Sequence, residues 1–128
     1  MDAWTKAVFF AWGETDPGSF IIAHKNYGIS FNIPLPLWLT VIIAVAALAW
    51  AMYTLWKLSA QTPIMTAPLL GIFIGGVLGN LTDRLVFGYV HDWLLLFGRS
   101  AVNLADGAIL LGLIGYILLT QRKKSGTG

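Results

Sequence analysis

Cysteine is absent from the 128 residues, which excludes disulfides, thiolate chemistry and zinc–thiolate sites. Charge is scarce as well. Asp, Glu, Lys and Arg together make up 11% of the chain, against about 25% in an ordinary soluble domain. The two histidines, His24 and His91, lie far apart and form no ligand pair at helical spacing, so neither a metal nor a cofactor is expected. No basic run is interleaved with aromatics in a polar setting, and nucleic acid is not an expected partner. What fills the chain instead is apolar, with 57% hydrophobic residues and a mean hydropathy of +0.73. Such a composition belongs to an integral membrane protein, and the length allows a single domain over residues 1–128.

Residues 1–12, MDAWTKAVFFAW, hold an apolar stub too short for about 30 Å of hydrocarbon. With no basic leader and no small-residue cleavage site, it does not read as a signal peptide. Asp2 and Lys6 stand at i,i+4, the spacing of an ordinary solvated ion pair at a helix end. Residues 13–34 change character: GETDPG is a turn cluster. The following mixture of β-branched, aromatic and polar residues suits short strands on a membrane surface, or a simple connecting hairpin. Asn26 and Gly28 in NYGISF suggest a tight backbone feature.

Three long apolar runs follow, at 35–56, 64–83 and 101–121, each near the roughly 20 residues that a transmembrane helix needs. Trp38, Tyr53 and Trp56 fit interfacial aromatic belts, and Pro63 suits a helix start. Gly71, Gly75 and Gly79 recur every four residues and predict close helix packing. Ala101, Ala105, Ala108, Gly112 and Gly115 predict the same on the last span. Between the second and last spans lies an excursion broken by Gly88 and Gly98.

Polar groups concentrate in 79–106, GNLTDRLVFGYVHDWLLLFGRSAVNLAD, where three of the five aspartates occur. Ionisable groups at membrane depth are costly and usually mark a site. Asn80, Asp83 and Arg84 stand at i, i+3 and i+4 at one end of a span. Asp83 beside Arg84 reads as a structural ion pair. Asn103 and Asp106 repeat the i,i+3 spacing where the last span starts, and there Asp106 is open to a capping role. Asp92 reads as a wet loop residue or as a partner of Asp106. If two aspartates meet across the helix ends they share a proton. One then activates water while the other polarises a peptide carbonyl. Lys57 in the middle link and Arg122, Lys123 and Lys124 in the tail assign those segments to the cytoplasm. The aspartates then lie near the outer face. The N-terminal stub fits this arrangement as a truncated or mis-started first helix.

GNLTDRLVFGYVHDW and AVNLADGAI closely resemble the GNxxDRxxxGxVxDF and FNxADxxI blocks of the lipoprotein signal peptidases, or signal peptidase II. NYGISF resembles that family's NxGxAF motif, and DAWTK its DQxTK motif. The matches keep the family's order from Asp2 to Ile109. The resemblance implies an all-α, four-helix transmembrane bundle, here with a truncated first helix, carrying a small extracytoplasmic β-cradle. It implies an aspartyl endopeptidase of the bacterial inner membrane that cleaves diacylglyceryl-modified prolipoproteins just before the lipidated cysteine. By that likeness Asp92 and Asp106 are the catalytic dyad, Asn103 stands beside it, and Asn80, Asp83 and Arg84 are polar support. Asn26 and Gly28, with Phe31, belong to the substrate-contacting cradle, and Asp2 and Lys6 are the charged pair of the first helix. The expected partners are prolipoprotein substrates, membrane lipids and the substrate-mimicking antibiotic globomycin. The chain is expected to be a monomer with its active site outside and its C-terminus in the cytoplasm.

The sequence departs from the pattern at Ala3, where glutamine is usual, and at Trp93 and Val102, where phenylalanine is usual. The segments Lys6–Asn26 and Asp92–Asp106 are also short. Two other readings remain: a catalytically impaired homologue of the same fold, and a small proton- or ion-conducting protein using Asp83, Asp92 and Asp106 as a relay.

Overall fold

The computed structural model describes residues 2–15, 20–29, 33–60 and 62–126. In chain order these form α1 (Asp2–Thr15), β1 (Ile21–Asn26), α2 (Leu37–Trp56), α3 (Thr66–Phe87), β2 (Val90–Leu96), β3 (Ser100–Val102) and α4 (Leu104–Ser125). Three helices, α2, α3 and α4, are long and apolar enough to cross a membrane. α1 has 14 residues, short of the roughly 20 that a span requires. Among the described residues the architecture is therefore three span-capable helices, one short helix and a small antiparallel sheet.

Local chemistry sets the helix ends. α2 begins after Pro36, whose backbone is extended at φ −58° and ψ 142° and whose ring carries no N–H for the ladder. α3 ends at Gly88, which takes the left-handed conformation at φ 79° and donates its N–H to the Arg84 carbonyl. α4 is opened by Asn103. Its side chain accepts from the Asp106 N–H while the Asp106 carboxylate accepts from the Asn103 N–H, a reciprocal capping box.

Several boundaries differ from the sequence expectation. Gly13–Thr15 continue α1 where a turn was expected, and residues 16–18 of that cluster lie outside the described residues, as does Phe31. α3 runs on to Phe87, and α4 starts at Leu104 because residues 100–102 pair as a strand. The excursion after Arg84 is mostly sheet. β2 is the central strand, antiparallel to β1 (Asn26 opposite Val90, His24 opposite Asp92) and to β3 (Leu94 opposite Val102). The β2–β3 turn has positive φ at both Phe97 (52°) and Gly98 (64°), the combination that a tight hairpin of this twist demands.

The apolar core lies between α2 and α3, with Ala44 and Ala51 against Leu70, Phe73, Val77 and Leu81. Trp50 meets both Phe73 and Tyr116 edge to face, a favoured aromatic geometry, and so ties α4 to that core. Glycine lets α3 and α4 approach closely, but not through the expected stripe alone. A Cβ at Gly112 would lie 2.6 Å from the backbone of Leu69 and Phe73, and one at Gly76 would lie 2.6 Å from the Ala105 carbonyl. Gly71 and Gly75 have nothing within 4 Å of that position, whereas a Cβ on Gly79 would meet the Asp2 carboxylate at 2.6 Å. The every-fourth-residue glycines therefore mark a contact only at Gly79.

α1 starts against the polar ends of α3 and α4 and runs along the sheet. Phe9 stacks on Trp93 with ring centroids 4.5 Å apart, and Phe10 meets His91 edge to face at 4.8 Å.

Candidate functional site

Lys6 supplies the first anchor. Its ammonium lies 2.8 Å from Asp2 Oδ2 and 3.1 Å from Asp83 Oδ2, and donates to Asn80 Oδ1 at 3.1 Å. Three donors thus meet three acceptors, and the side chain is buried. Asp2 in turn accepts the Ala105 N–H at 3.1 Å, so the Asp2–Lys6 pair is a buried clamp joining α1 to α3 and α4. It is not the solvated pair that spacing alone suggested.

Asp83 does not pair with Arg84. Its Oδ2 accepts the His91 N–H at 2.9 Å and lies 3.1 Å from His91 Nδ1 and from Lys6. Adjacent helical residues point in different directions, which sends Arg84 elsewhere. Its guanidinium donates to the Gly28 carbonyl at 2.8 Å and the Asn80 carbonyl at 3.2 Å. Gly28 is held close by the same loop: its N–H donates to Asn26 Oδ1 at 3.0 Å, and a Cβ there would overlap the Ile33 carbonyl. A side chain of any size is excluded at that position.

Asp92 and Asp106 sit at the centre, 0% and 6% exposed. Asp92 Oδ1 accepts Asn103 Nδ2 at 2.7 Å and its Oδ2 accepts Asn26 Nδ2 at 2.9 Å. Asp106 Oδ1 accepts Asn80 Nδ2 at 2.8 Å, and its Oδ2 accepts the Asn103 N–H at 3.2 Å. Asn103 also donates to Asn80 Oδ1 at 3.1 Å. It therefore touches both carboxylates and the asparagine that supports one of them. Burial, and after it the charge of Asp106, pushes the Asp92 carboxyl up from 3.8 to about 7. The hydrogen bonds from Asn26 and Asn103 and the charge of Lys6 oppose that rise without cancelling it.

All ten candidate site residues singled out from the sequence, Asp2, Lys6, Asn26, Gly28, Asn80, Asp83, Arg84, Asp92, Asn103 and Asp106, thus fall in one connected network, Gly28 through its backbone. The role of His91 beside Asp83 was not legible from the sequence, because a histidine next to a motif aspartate carries no spacing signal for a contact eight residues back. Several cavities flank the network. One of about 300 Å³ is bordered by Asn103, Asp106 and Trp93 with apolar walls including Val102 and Leu110. Another, of about 280 Å³, is bordered by Asn80 and Arg84 with Thr40, Phe73 and Val77. A buried carboxyl raised to about 7, held beside a second buried carboxylate next to an apolar cavity, is suited to general acid–base chemistry on an amphiphilic ligand.

Comparison with known proteins gives a consistent picture. A family model for signal peptidase (SPase) II matches residues 1–122. The lipoprotein signal peptidase of Nitrobacter hamburgensis is 34% identical over 108 residues, covering 76% of this chain and 65% of the relative. That of Sinorhizobium fredii is 34% identical over 108 residues, covering 78% and 64%. That of Halothermothrix orenii is 35% identical over 104 residues, covering 80% and 70%. The match thus spans about two thirds of these relatives' length. A solved structure described as a bacterial membrane enzyme superposes with a TM-score of 0.75 at 19% identity, over 99% of this chain and 91% of that one, a likeness of fold. The buried carboxylate network is built on the motifs that run through the matched segment, and the chain belongs to the signal peptidase II family.

Proposed function

We infer that the protein is a membrane aspartyl endopeptidase that removes the signal peptide from diacylglyceryl-modified prolipoproteins, on the amino side of the lipidated cysteine. The observation that carries this reading is the pair of buried carboxylates bridged by Asn103, one of them raised to about 7. Near neutral pH such a pair holds one proton between them, and its titration belongs to the pair and not to either residue. The ionised member takes a proton from water as the oxygen attacks the scissile carbonyl. The protonated member donates to the carbonyl oxygen. As the tetrahedral intermediate collapses, the member that took the water proton gives it to the leaving amine of the cysteine, while the other takes a proton back from the gem-diol hydroxyl as the carbonyl re-forms, so that the pair again holds one proton. Asn26, Asn80 and Asn103 hold both carboxylates in place, and Lys6, Asp2, Asp83 and Arg84 fix the elements that carry them.

The apolar cavity beside Asp106 suits a substrate carrying acyl chains, which reaches the site laterally from the bilayer. The site would lie near the outer face of the bacterial inner membrane, with α1 completing a four-helix arrangement. The short link after α2 and the C-terminus would be cytoplasmic. The chain would act as a monomer, and globomycin would occupy the substrate's place. A proton-conducting relay would call for carboxylates spread through membrane depth, and here Asp83, Asp92 and Asp106 share one network.

Purified protein in detergent, incubated with a diacylglyceryl-modified prolipoprotein and followed by gel shift, tests the reading. Cleavage by wild type, lost by about 10² to 10⁴ in Asp92→Asn and Asp106→Asn and blocked by globomycin, is the expected outcome. Cleavage that survives both substitutions would sink the dyad. A folded wild type that leaves the substrate intact would sink the peptidase.

A further inference from the structure

Trp93 follows Asp92 on β2 and borders the cavity that Asn103 and Asp106 line. Its ring lies nearly parallel to Phe9, at 4.5 Å between centroids and 27° between planes, so α1 holds the indole in a set orientation. The indole Nε1 is buried and has no hydrogen-bond partner. A tryptophan N–H can only donate, and burying it without an acceptor is unfavourable. Around it the other donors are committed. Asn26 and Asn103 donate to Asp92, Asn80 donates to Asp106, and Lys6 donates to three acceptors. Among the described residues the one other buried side-chain atom lacking a partner is Thr66 Oγ1, at the opposite end of α3. Among the described residues, a buried uncommitted donor on a residue bordering the cavity that Asn103 and Asp106 line is therefore particular to Trp93. A phenylalanine, the residue usual at this place in the family motif, would carry none.

We propose that the Trp93 indole N–H is a substrate-binding donor that donates a hydrogen bond to a carbonyl oxygen of the bound lipopeptide. The inference rests on the peptidase reading and deepens it. Two sources of that oxygen share the chemistry: a main-chain carbonyl flanking the scissile bond, and an ester carbonyl of the diacylglyceryl group. Because the donor is unpaired before substrate arrives, its removal leaves the ligand-free fold intact and weakens only the complex. That combination separates a binding donor from a packing residue.

The experiment compares wild type and Trp93→Phe, which keeps an aromatic ring on Phe9 and deletes the N–H. Each is assayed with the natural diacylglyceryl prolipoprotein, with analogues in which single peptide bonds near the cleavage site are esters, and with an analogue whose chains are ether-linked. Trp93→Phe is expected to lose about five- to tenfold in kcat/KM, mainly through KM, with a ligand-free Tm equal to or above that of wild type. Wild type is expected to lose about the same factor with one analogue, and Trp93→Phe to lose nothing further with it. A backbone ester as that analogue assigns the main-chain carbonyl, and the ether-linked lipid assigns the ester. The inference is overturned by unchanged kinetics in Trp93→Phe, by losses that add for every analogue, or by a lowered Tm with kcat falling alone. Wild type failing on the natural substrate overturns the peptidase reading and this inference together, whereas unchanged kinetics in an otherwise active pair overturns this inference only.

Discussion

Asp92 carries the main electrostatic cost of the site, and the hydrogen bonds around it show how that cost is managed. Both of its oxygens accept from side-chain amides, Asn103 at 2.7 Å and Asn26 at 2.9 Å. Neither amide can turn over without losing its other bond, to the Asp106 N–H or the Gly28 N–H. Even so, burial and the Asp106 charge raise the Asp92 carboxyl from 3.8 to about 7. For a carboxyl raised on folding, the stabilising contribution is fully present below the unfolded value near 3.9 and is lost as pH rises through the folded value. Two outcomes are expected from this one property. The cleavage rate should fall as pH rises above about 7, where the shared proton leaves, and a pH–rate profile checks it. The Tm of wild type should fall between about pH 4 and 7, with a flatter slope in Asp92→Asn. A rate that keeps climbing through pH 8 would contradict the assignment of the proton to this pair.

At the scale of elements, the close contact of α3 with α4 decides where the carboxylates meet, and glycine position decides that contact. The space for a Cβ at Gly112 is occupied by the backbone of Leu69 and Phe73 at 2.6 Å, while Gly71 and Gly75 meet nothing within 4 Å. Backbone cannot rotate aside as a side chain can. Gly112→Ala is therefore expected to cost about 1–3 kcal/mol in overpacking. Gly71→Ala and Gly75→Ala should be neutral or gain up to about 1 kcal/mol of helix propensity each. Denaturation of the three variants in detergent makes the comparison, and equal effects at all three positions would show that the helix contact lies elsewhere. The strand pair β1–β2 acts at the same scale. With Asn26 opposite Val90 and His24 opposite Asp92, the sheet register brings Asn26 to the Asp92 carboxylate.

Over the whole molecule, α1, the sheet and the polar ends of α3 and α4 gather on one side, and the α2–α3 link and the tail stand at the other ends of the helices. Lys57 and the Arg122–Lys124 run predict that the link and tail are cytoplasmic. The absence of cysteine makes single-cysteine labelling free of background. In intact cells a membrane-impermeant maleimide should modify Arg99→Cys, on the exposed hairpin tip. It should reach Ser59→Cys and Ser125→Cys only after lysis. Labelling of Ser125→Cys from outside would reverse the orientation and move the site to the cytoplasmic face.

The amino-acid sequence by itself determined what depends on near neighbours along the chain. Three apolar runs of spanning length follow from hydrocarbon thickness, the stop of α3 follows from Gly88, and the capping of α4 follows from Asn103 and Asp106 three residues apart. The polar residues worth following were legible because charge is so rare in this chain. Only the tertiary structure decided which of them touch. The Lys6–Asn80 bond joins residues 74 apart, and no periodicity specifies such a contact. Spacing suggested Asp83 with Arg84, yet Lys6 from another helix is the partner, since side chains one position apart on a helix diverge. The strands β2 and β3 were also hidden, because a run such as VHDWLLL has no strict alternation until neighbouring strands give it two faces. Packing between elements, and not local pattern, turned a scatter of polar residues into one buried network.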